Sequence, residues 1–176
     1  GDPRDHDTNE KGTHIAFNKK HGVMTLTEVG LHYPFPSWQR GDPLPGTLKV
    51  GAWHHDKDVD DVFATDDTGA KVRHDDNYGT YSLLDQMVYR EKDKQGLGVF
   101  FQYGQVPDDR NTVDVYLGSG LHYQGLIPGR DEDIAGVGLA YASISEELRL
   151  AEARDKAEKT IEATYRAKVS EKLTLQ

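Results

Sequence analysis

Thr160-Ile161-Glu162-Ala163-Thr164-Tyr165-Arg166-Ala167-Lys168-Val169 reads with a period of two: Ile161, Ala163, Tyr165, Ala167 and Val169 alternate with Thr160, Glu162, Thr164, Arg166 and Lys168. Successive side chains of a strand point to opposite sides, so this spacing predicts a strand with one apolar and one charged, wet face. The stretch Thr112 to Tyr123 repeats the pattern, setting Val113, Val115, Leu117, Leu121 and Tyr123 against Asp114, Tyr116, Gly118, Gly120 and His122. At about twelve residues it is long enough to cross a bilayer at a tilt. Working outward, similar alternation marks Val23 to Tyr33, Thr47 to His55, Thr80 to Arg90, Leu97 to Gln105 and Ile134 to Ile144, and a last strand begins at Leu173 and runs to Gln176. The expectation is an all-β, antiparallel up-and-down meander in which each tight turn lays the next strand beside the last.

Glycines 98, 104, 118, 120, 136 and 138 fall inside these segments, where they suit the bends and close approaches of a curved wall. By strand parity, Pro34 to Pro45, Glu91 to Gly96, Gly125 to Asp133 and Ser170 to Lys172 lie at one end. Two long polar segments, His55 to Asn77 and Ser145 to Lys159, lie at the other with the short Val106 to Asn111. Short turns at one end and longer loops at the other are the pattern of a transmembrane barrel. Ser143 with Glu146 forms a capping-box pattern, so one loop is expected to carry a short helix.

Composition sets the limits. Hydrophobic residues make up 36% and the mean hydropathy is -0.73. No run approaches the roughly 18 apolar residues of a membrane-spanning helix. A barrel strand shows only one face to lipid, so low hydropathy is compatible with a membrane barrel. The net charge of -9 speaks against nucleic acid, whose binders carry a basic face for the phosphates. The chain has no cysteine, which removes disulfides and thiolate metal sites. Gly1-Asp2-Pro3-Arg4-Asp5 shows no basic region followed by an apolar one, hence no visible signal peptide.

Several strings carry a family resemblance: Leu44-Pro45-Gly46-Thr47 leading to Lys49-Val50-Gly51-Ala52-Trp53-His54-His55; Asn77-Tyr78-Gly79-Thr80-Tyr81 with Asp85-Gln86-Met87; and Gln95-Gly96-Leu97-Gly98-Val99-Phe100. They continue with Val106-Pro107-Asp108-Asp109-Arg110-Asn111, Gly125-Leu126-Ile127-Pro128-Gly129-Arg130-Asp131-Glu132-Asp133, Tyr141-Ala142-Ser143-Ile144-Ser145 and Glu162-Ala163-Thr164-Tyr165-Arg166-Ala167, ending in Leu173-Thr174-Leu175-Gln176. In this order, from about Gly22 onward, the chain resembles the carbohydrate-selective porin family of Gram-negative outer membranes, the OprB type. The resemblance implies a barrel of roughly sixteen strands that passes mono- or oligosaccharides by passive diffusion, without cofactor and without enzymatic activity. The 176 residues then form a single fragment, the C-terminal half of such a barrel without its closing strands. Its partners would be saccharides, outer-membrane lipid and the remaining half of the same barrel. Whether the complete protein is a monomer or a homo-oligomer is left open.

A saccharide path needs polar side chains to hydrogen-bond hydroxyls and aromatic rings to pack on the apolar face of a pyranose. Glu28, Lys49, Asp85, Asp114, Glu162, Arg166 and Lys168 fall on the polar phase of their strands and are expected to face the lumen, as any large barrel has a wet lumen whether or not it selects sugars. The Pro107-Asp108-Asp109-Arg110-Asn111 turn is short and carries both charge signs. It could hold Arg110, with Asp109, over the sugar path, or act as a structural clamp. Gly129-Arg130-Asp131 reads as a turn stabilised by its own charges. Trp38, Trp53, Tyr78, Tyr89, Tyr103, Tyr123 and Tyr141 lie near predicted strand ends, and Tyr33, Tyr89 and Tyr123 are the best candidates for a membrane-interface girdle.

His54-His55-Asp56 followed by Asp58, Asp60 and Asp61 invites a metal reading. Adjacent strand residues point apart, which separates the two histidines. Asp61 stands where a calcium loop needs glycine, and Asp67 where it needs a bidentate glutamate, so no metal site is expected. No nucleophile elbow, P-loop, dinucleotide fingerprint or zinc-protease helix is present. The alternative to a channel is a soluble carbohydrate-binding β-sandwich, which would bury the apolar face against a second sheet.

Overall fold

The computed structural model describes residues 22–37, 41–152 and 155–176. Trp38 lies outside the described residues. Eight strands form one sheet in the order β1-β2-β5-β6-β7-β8-β9-β10. They are β1 (Met24–Phe35), β2 (Leu44–His55), β5 (Asn77–Lys92), β6 (Gln95–Gln105), β7 (Val113–Gln124), β8 (Ile134–Ile144), β9 (Ala157–Ser170) and β10 (Leu173–Leu175). β3 (Val59–Thr65) and β4 (Lys71–His74) form a separate two-stranded sheet. Every neighbouring pair is antiparallel, with no parallel ladder among the described residues. Among the described residues the second sheet has only two strands, whereas the sandwich alternative needs one of comparable size.

Three expectations need correction. The segment His55 to Asn77 is not one long loop, because β3 and β4 pair as a hairpin inside it. The helical segment is shorter than its composition suggests: α1 spans Glu146–Glu152, and β9 begins at Ala157, ahead of Thr160. Ladder pairing of Ala157 with Ser143 and Lys159 with Tyr141 overrides the helix-forming composition there. Ser143 belongs to β8 rather than to a cap, and Ser145, fully buried, stands at the helix entrance with its carbonyl accepting from the Arg149 amide at 3.1 Å.

Register fixes the faces, because directly opposed residues of antiparallel strands share a side. One continuous row runs Leu31, Leu48, Leu84, Phe101, Ser119, Leu139 and Ile161. A neighbouring row runs Val29, Val50, Ser82, Tyr103, Leu117 and Tyr141. Toward the short turns, Tyr89, Leu97, Tyr123, Ala135 and Tyr165 close this face with tyrosines, and Tyr33 lies on the same side. Tyr78 belongs to it at the loop end. Trp53 does not: it opposes Leu26 and Gly79 on the other face. The aliphatic residues of the apolar face are open to the outside, with Ile161 at 76% and Val29 at 64% exposure. The buried hydrophobic residues among those described are Leu44, Ile144 and Leu148, so packing against a core is confined to the two ends.

At the β5–β6 turn, Asp93 takes a left-handed φ of 48° and Gly96 a φ of 143°. The register shifts there, between Arg90 and Lys92. A Cβ on Gly96 would come within 2.0 Å of the Tyr89 carbonyl oxygen, so only glycine closes this hairpin. Gly96→Ala in the complete barrel is expected to cost about 1–3 kcal/mol. The urea midpoint in detergent reads this, and an unchanged midpoint would show that the turn accommodates the methyl.

Candidate functional site

The opposite face gathers the polar residues. Glu28, Lys49, Asp85, Glu162 and Arg166 share it by register: Glu28 opposes Gly51, Lys49 opposes Gly30 and Leu83, Asp85 opposes Phe100, Glu162 opposes Gly138 and Arg166 opposes Ile134. Glu28 and Lys49 form an ion pair at 3.0 Å, and the Tyr81 hydroxyl donates to Glu28 Oε2 at 2.8 Å. The Asp85 carboxylate lies 4.0 Å from His122 Nε2. Asp114 sits in a β-bulge between Val113 and Val115, and its Oδ1 is buried without a hydrogen-bond partner.

Glycine has a defined place on this face. Among the described residues every strand glycine except Gly46 lies on it: Gly30, Gly51, Gly79, Gly96, Gly98, Gly104, Gly118, Gly120, Gly136 and Gly138. Four of them belong to a Gly-x-ring pattern: Gly51-x-Trp53, Gly79-x-Tyr81, Gly98-x-Phe100 and Gly120-x-His122. Antiparallel register brings these together in pairs, so each ring lies over the glycine of the opposing strand. A Cβ on Gly51 would be 2.3 Å from Tyr81 Cζ, on Gly79 2.6 Å from Trp53 Nε1, on Gly98 2.2 Å from His122 Nε2 and on Gly120 2.5 Å from Phe100 Cε1. The rings occupy the space a side chain would fill. Phe100, Tyr81, Trp53 and His122 thereby lie along the wall instead of standing away from it.

Arg110 and Asp109 sit apart from these groups, at the loop end, where several segments meet as a cap. Val62 of the β3–β4 hairpin donates its amide to the Asp109 carbonyl at 2.9 Å. The Arg110 guanidinium donates from Nε and Nη2 to the Asp109 carboxylate, at 2.8 and 3.1 Å. Its Nη1 donates to the Asp76 carbonyl and carboxylate at 2.9 and 2.8 Å. The guanidinium carbon lies 5.8 Å from the Tyr78 ring centre. Below it, Asn77 and Asn111 exchange side-chain amide bonds at 2.9 and 3.1 Å, and Asn111 also donates to the Pro107 carbonyl at 2.8 Å. The turn holds its arginine against protein, with the side chain only 12% exposed. Sequence could name the Asp-Arg turn but not Asp76, which lies 34 residues away.

The carboxylates of the hairpin also have protein partners. Asp58 and Asp60 pair with Arg73, at 3.0 and 3.5 Å. Asp61 accepts from the Phe63 and Ala64 amides at 2.9 and 2.7 Å and contacts His74 at 2.9 Å, while His54 meets Asp76 at 3.1 Å. Among the described residues no three such side chains converge as a metal site. Burial opposes ionisation of Asp61, yet the Phe63 and Ala64 amides and His74 outweigh it and hold its carboxyl below the usual range. The Arg110 hydrogen bonds hold Asp109 below it as well, against burial. At the turn end, the β7–β8 turn is tied by Asp133, which accepts from Arg130 Nε at 2.6 Å, from the Lys168 amide at 2.9 Å and from the Tyr165 hydroxyl. Arg130 therefore stabilises its own turn, and Lys168 adds an ion pair to Glu132 at 2.7 Å.

Two expectations follow for the cap. Arg110→Ala removes charged hydrogen bonds from a half-buried pair, worth about 2–3 kcal/mol. Hydrogen exchange at the Val62 amide should accelerate by roughly 30- to 150-fold, and unchanged exchange would show that the turn does not hold the hairpin. The second concerns acid. Groups whose folded pKa is depressed contribute stability that is complete above the unfolded value of about 3.9 and is lost as pH falls through the folded value. A nitroxide carried at position 63 by Phe63→Cys should keep its mobility from neutral pH to about 4 and loosen below that. Loosening already near pH 6 would assign the docking to a different group.

The sequence pattern of the carbohydrate-selective porin, OprB family, matches residues 1–176. No curated protein matches the chain. The high-pH structure of Pseudomonas putida OprB superposes with a TM-score of 0.69 at 21% identity, covering 84% of this chain and 40% of that one. The chain thus spans less than half the length of that porin, and the likeness shows that its open meander corresponds to part of a barrel wall. The chain belongs to the OprB family of carbohydrate-selective porins, proteins of the bacterial outer membrane and not enzymes.

Proposed function

We propose that this chain forms part of the wall of a passive outer-membrane channel for neutral saccharides. The observation that carries the reading is the division of one uncovered sheet into two chemically opposite faces. Leu31, Leu48, Leu84, Phe101, Leu139 and Ile161 line one side without a protein cover, which suits lipid. Charge on that side at mid-depth would cost roughly 2–4 kcal/mol for Arg or Lys. Glu28, Lys49, Asp85, Glu162 and Arg166 line the other side, which suits a watery path. β1 and β10 are the edges of the sheet and would pair with further strands of the same barrel, since lipid offers no partner for open backbone groups. Arg110 and Asp109 serve this path indirectly, by fixing the hairpin at the mouth.

Diffusion through such a wall needs no energy input, so flux follows the gradient. The complete barrel reconstituted in liposomes should admit glucose, read as swelling, and should need no ion gradient to do so. Liposomes that swell no faster with glucose than protein-free ones would sink the channel reading. Recovery of the protein in the soluble fraction without detergent would do the same.

A further inference from the structure

We propose that Trp53 and Tyr81 form a flat resting site for a neutral pyranose on the polar wall, edged by the Glu28–Lys49 ion pair. The proposal rests on the channel reading and adds to it a place and a selectivity.

Tyr81 starts on β5, and its ring crosses β2 at Gly51 to reach Glu28 on β1. A side chain that spans a neighbouring strand in this way must lie along the sheet. The three atoms nearest a Cβ on Gly51 all belong to the Tyr81 ring or its hydroxyl, at 2.3–2.6 Å. Trp53, two residues along from Gly51, lies in the opposite sense over Gly79. Both residues are half-buried, with the Tyr81 ring over Gly51 and the Trp53 ring, beside Val106, over Gly79. The result is an aromatic floor two strands wide, held in orientation by the hydroxyl bond to Glu28.

A pyranose in its chair form has axial C–H groups on its flat faces and hydroxyls around its rim. The floor matches the first and the ion pair matches the second. Lys49 and Glu28 are 41% and 30% exposed, so the ammonium retains donors and the carboxylate lone pairs for rim hydroxyls. The pair is neutral overall, which favours an uncharged sugar over a sugar acid or amino sugar. An open-chain polyol carries the same hydroxyls without a flat C–H face. The site should therefore distinguish glucose from glucitol.

The test is block of the ion current through the complete barrel in planar bilayers, titrated with glucose and with glucitol. Trp53→Ala should raise the half-blocking glucose concentration up to about tenfold and leave glucitol unchanged. Trp53→Phe, which keeps a ring over Gly79, should stay within about twofold of wild type. Gly51→Ala leaves both rings in the chain but places a methyl where the Tyr81 ring lies, and should weaken glucose in the same way as Trp53→Ala. Heat-dependent gel migration checks that each variant is folded. Unchanged glucose block in Trp53→Ala, or equal weakening of glucose and glucitol, would overturn the site while wild-type glucose flux keeps the channel reading intact. Absence of glucose flux in the wild type would remove both.

Discussion

Backbone hydrogen bonding between neighbouring antiparallel strands carries this fold, because almost nothing else is available to carry it. Among the described residues no second layer covers either face of the eight-stranded sheet, and the buried hydrophobic side chains are Leu44 at one end and Ile144 and Leu148 at the other. A soluble domain of this size would close its apolar face with a second layer. Here the ladders satisfy the backbone, and the apolar face meets an environment supplied from outside. This is the arrangement lipid enforces, since an unsatisfied backbone group in hydrocarbon costs several kcal/mol. The price in sequence is low hydropathy, as every second residue is free to be polar.

Glycine then acts as a spacer on the wet side. A sheet that must carry aromatic rings there without narrowing the path can lay them flat only where the opposing strand offers no Cβ. Gly51 and Gly79 do this for Tyr81 and Trp53, and Gly98 and Gly120 for His122 and Phe100. The exchange is symmetric because two Gly-x-ring segments run antiparallel in register, each providing the gap for the other. Glycine is entropically costly in a strand. On this face the cost is met by ring packing at Gly51, Gly79, Gly98 and Gly120.

The strands and their order were legible because period two and turn parity are local properties. Thr160 to Val169 declares two faces from ten residues, and the GRDED turn at residues 129–133 declares its end. What stayed hidden depends on partners far along the chain. The β3–β4 hairpin was masked by six aspartates between residues 56 and 67, which read as a solvated loop until Arg73 and His74 are seen across from them. Arg110 could be named as a clamp or as a sugar contact, and its bonds to Asp76, 34 residues away, could not be read from the sequence. The capping pattern at Ser143 failed because ladder pairing with Ala157 claims that residue first. The Gly-x-ring pattern is visible in the sequence, yet its meaning appears only with the register.

The two ends of the sheet are built for different tasks, and strand length shows why. Crossing a bilayer takes about 9–11 tilted residues. β2 has 12 and β5 has 16, so their ends stand clear of the apolar band. Toward the loop end the apolar face changes character to the row Thr27, Ala52, Thr80 and Gln105, then to Thr25, His54 and Tyr78. Side chains of this kind are wetted, and there the hairpin, the Asp-Arg turn and α1 gather into a cap. Ion pairs in a wet cap are individually weak, whereas a bidentate guanidinium held at 12% exposure is not. The cap thus draws its charged hydrogen bonds from Arg110 and its carboxylates, while the wall below is joined by backbone ladders.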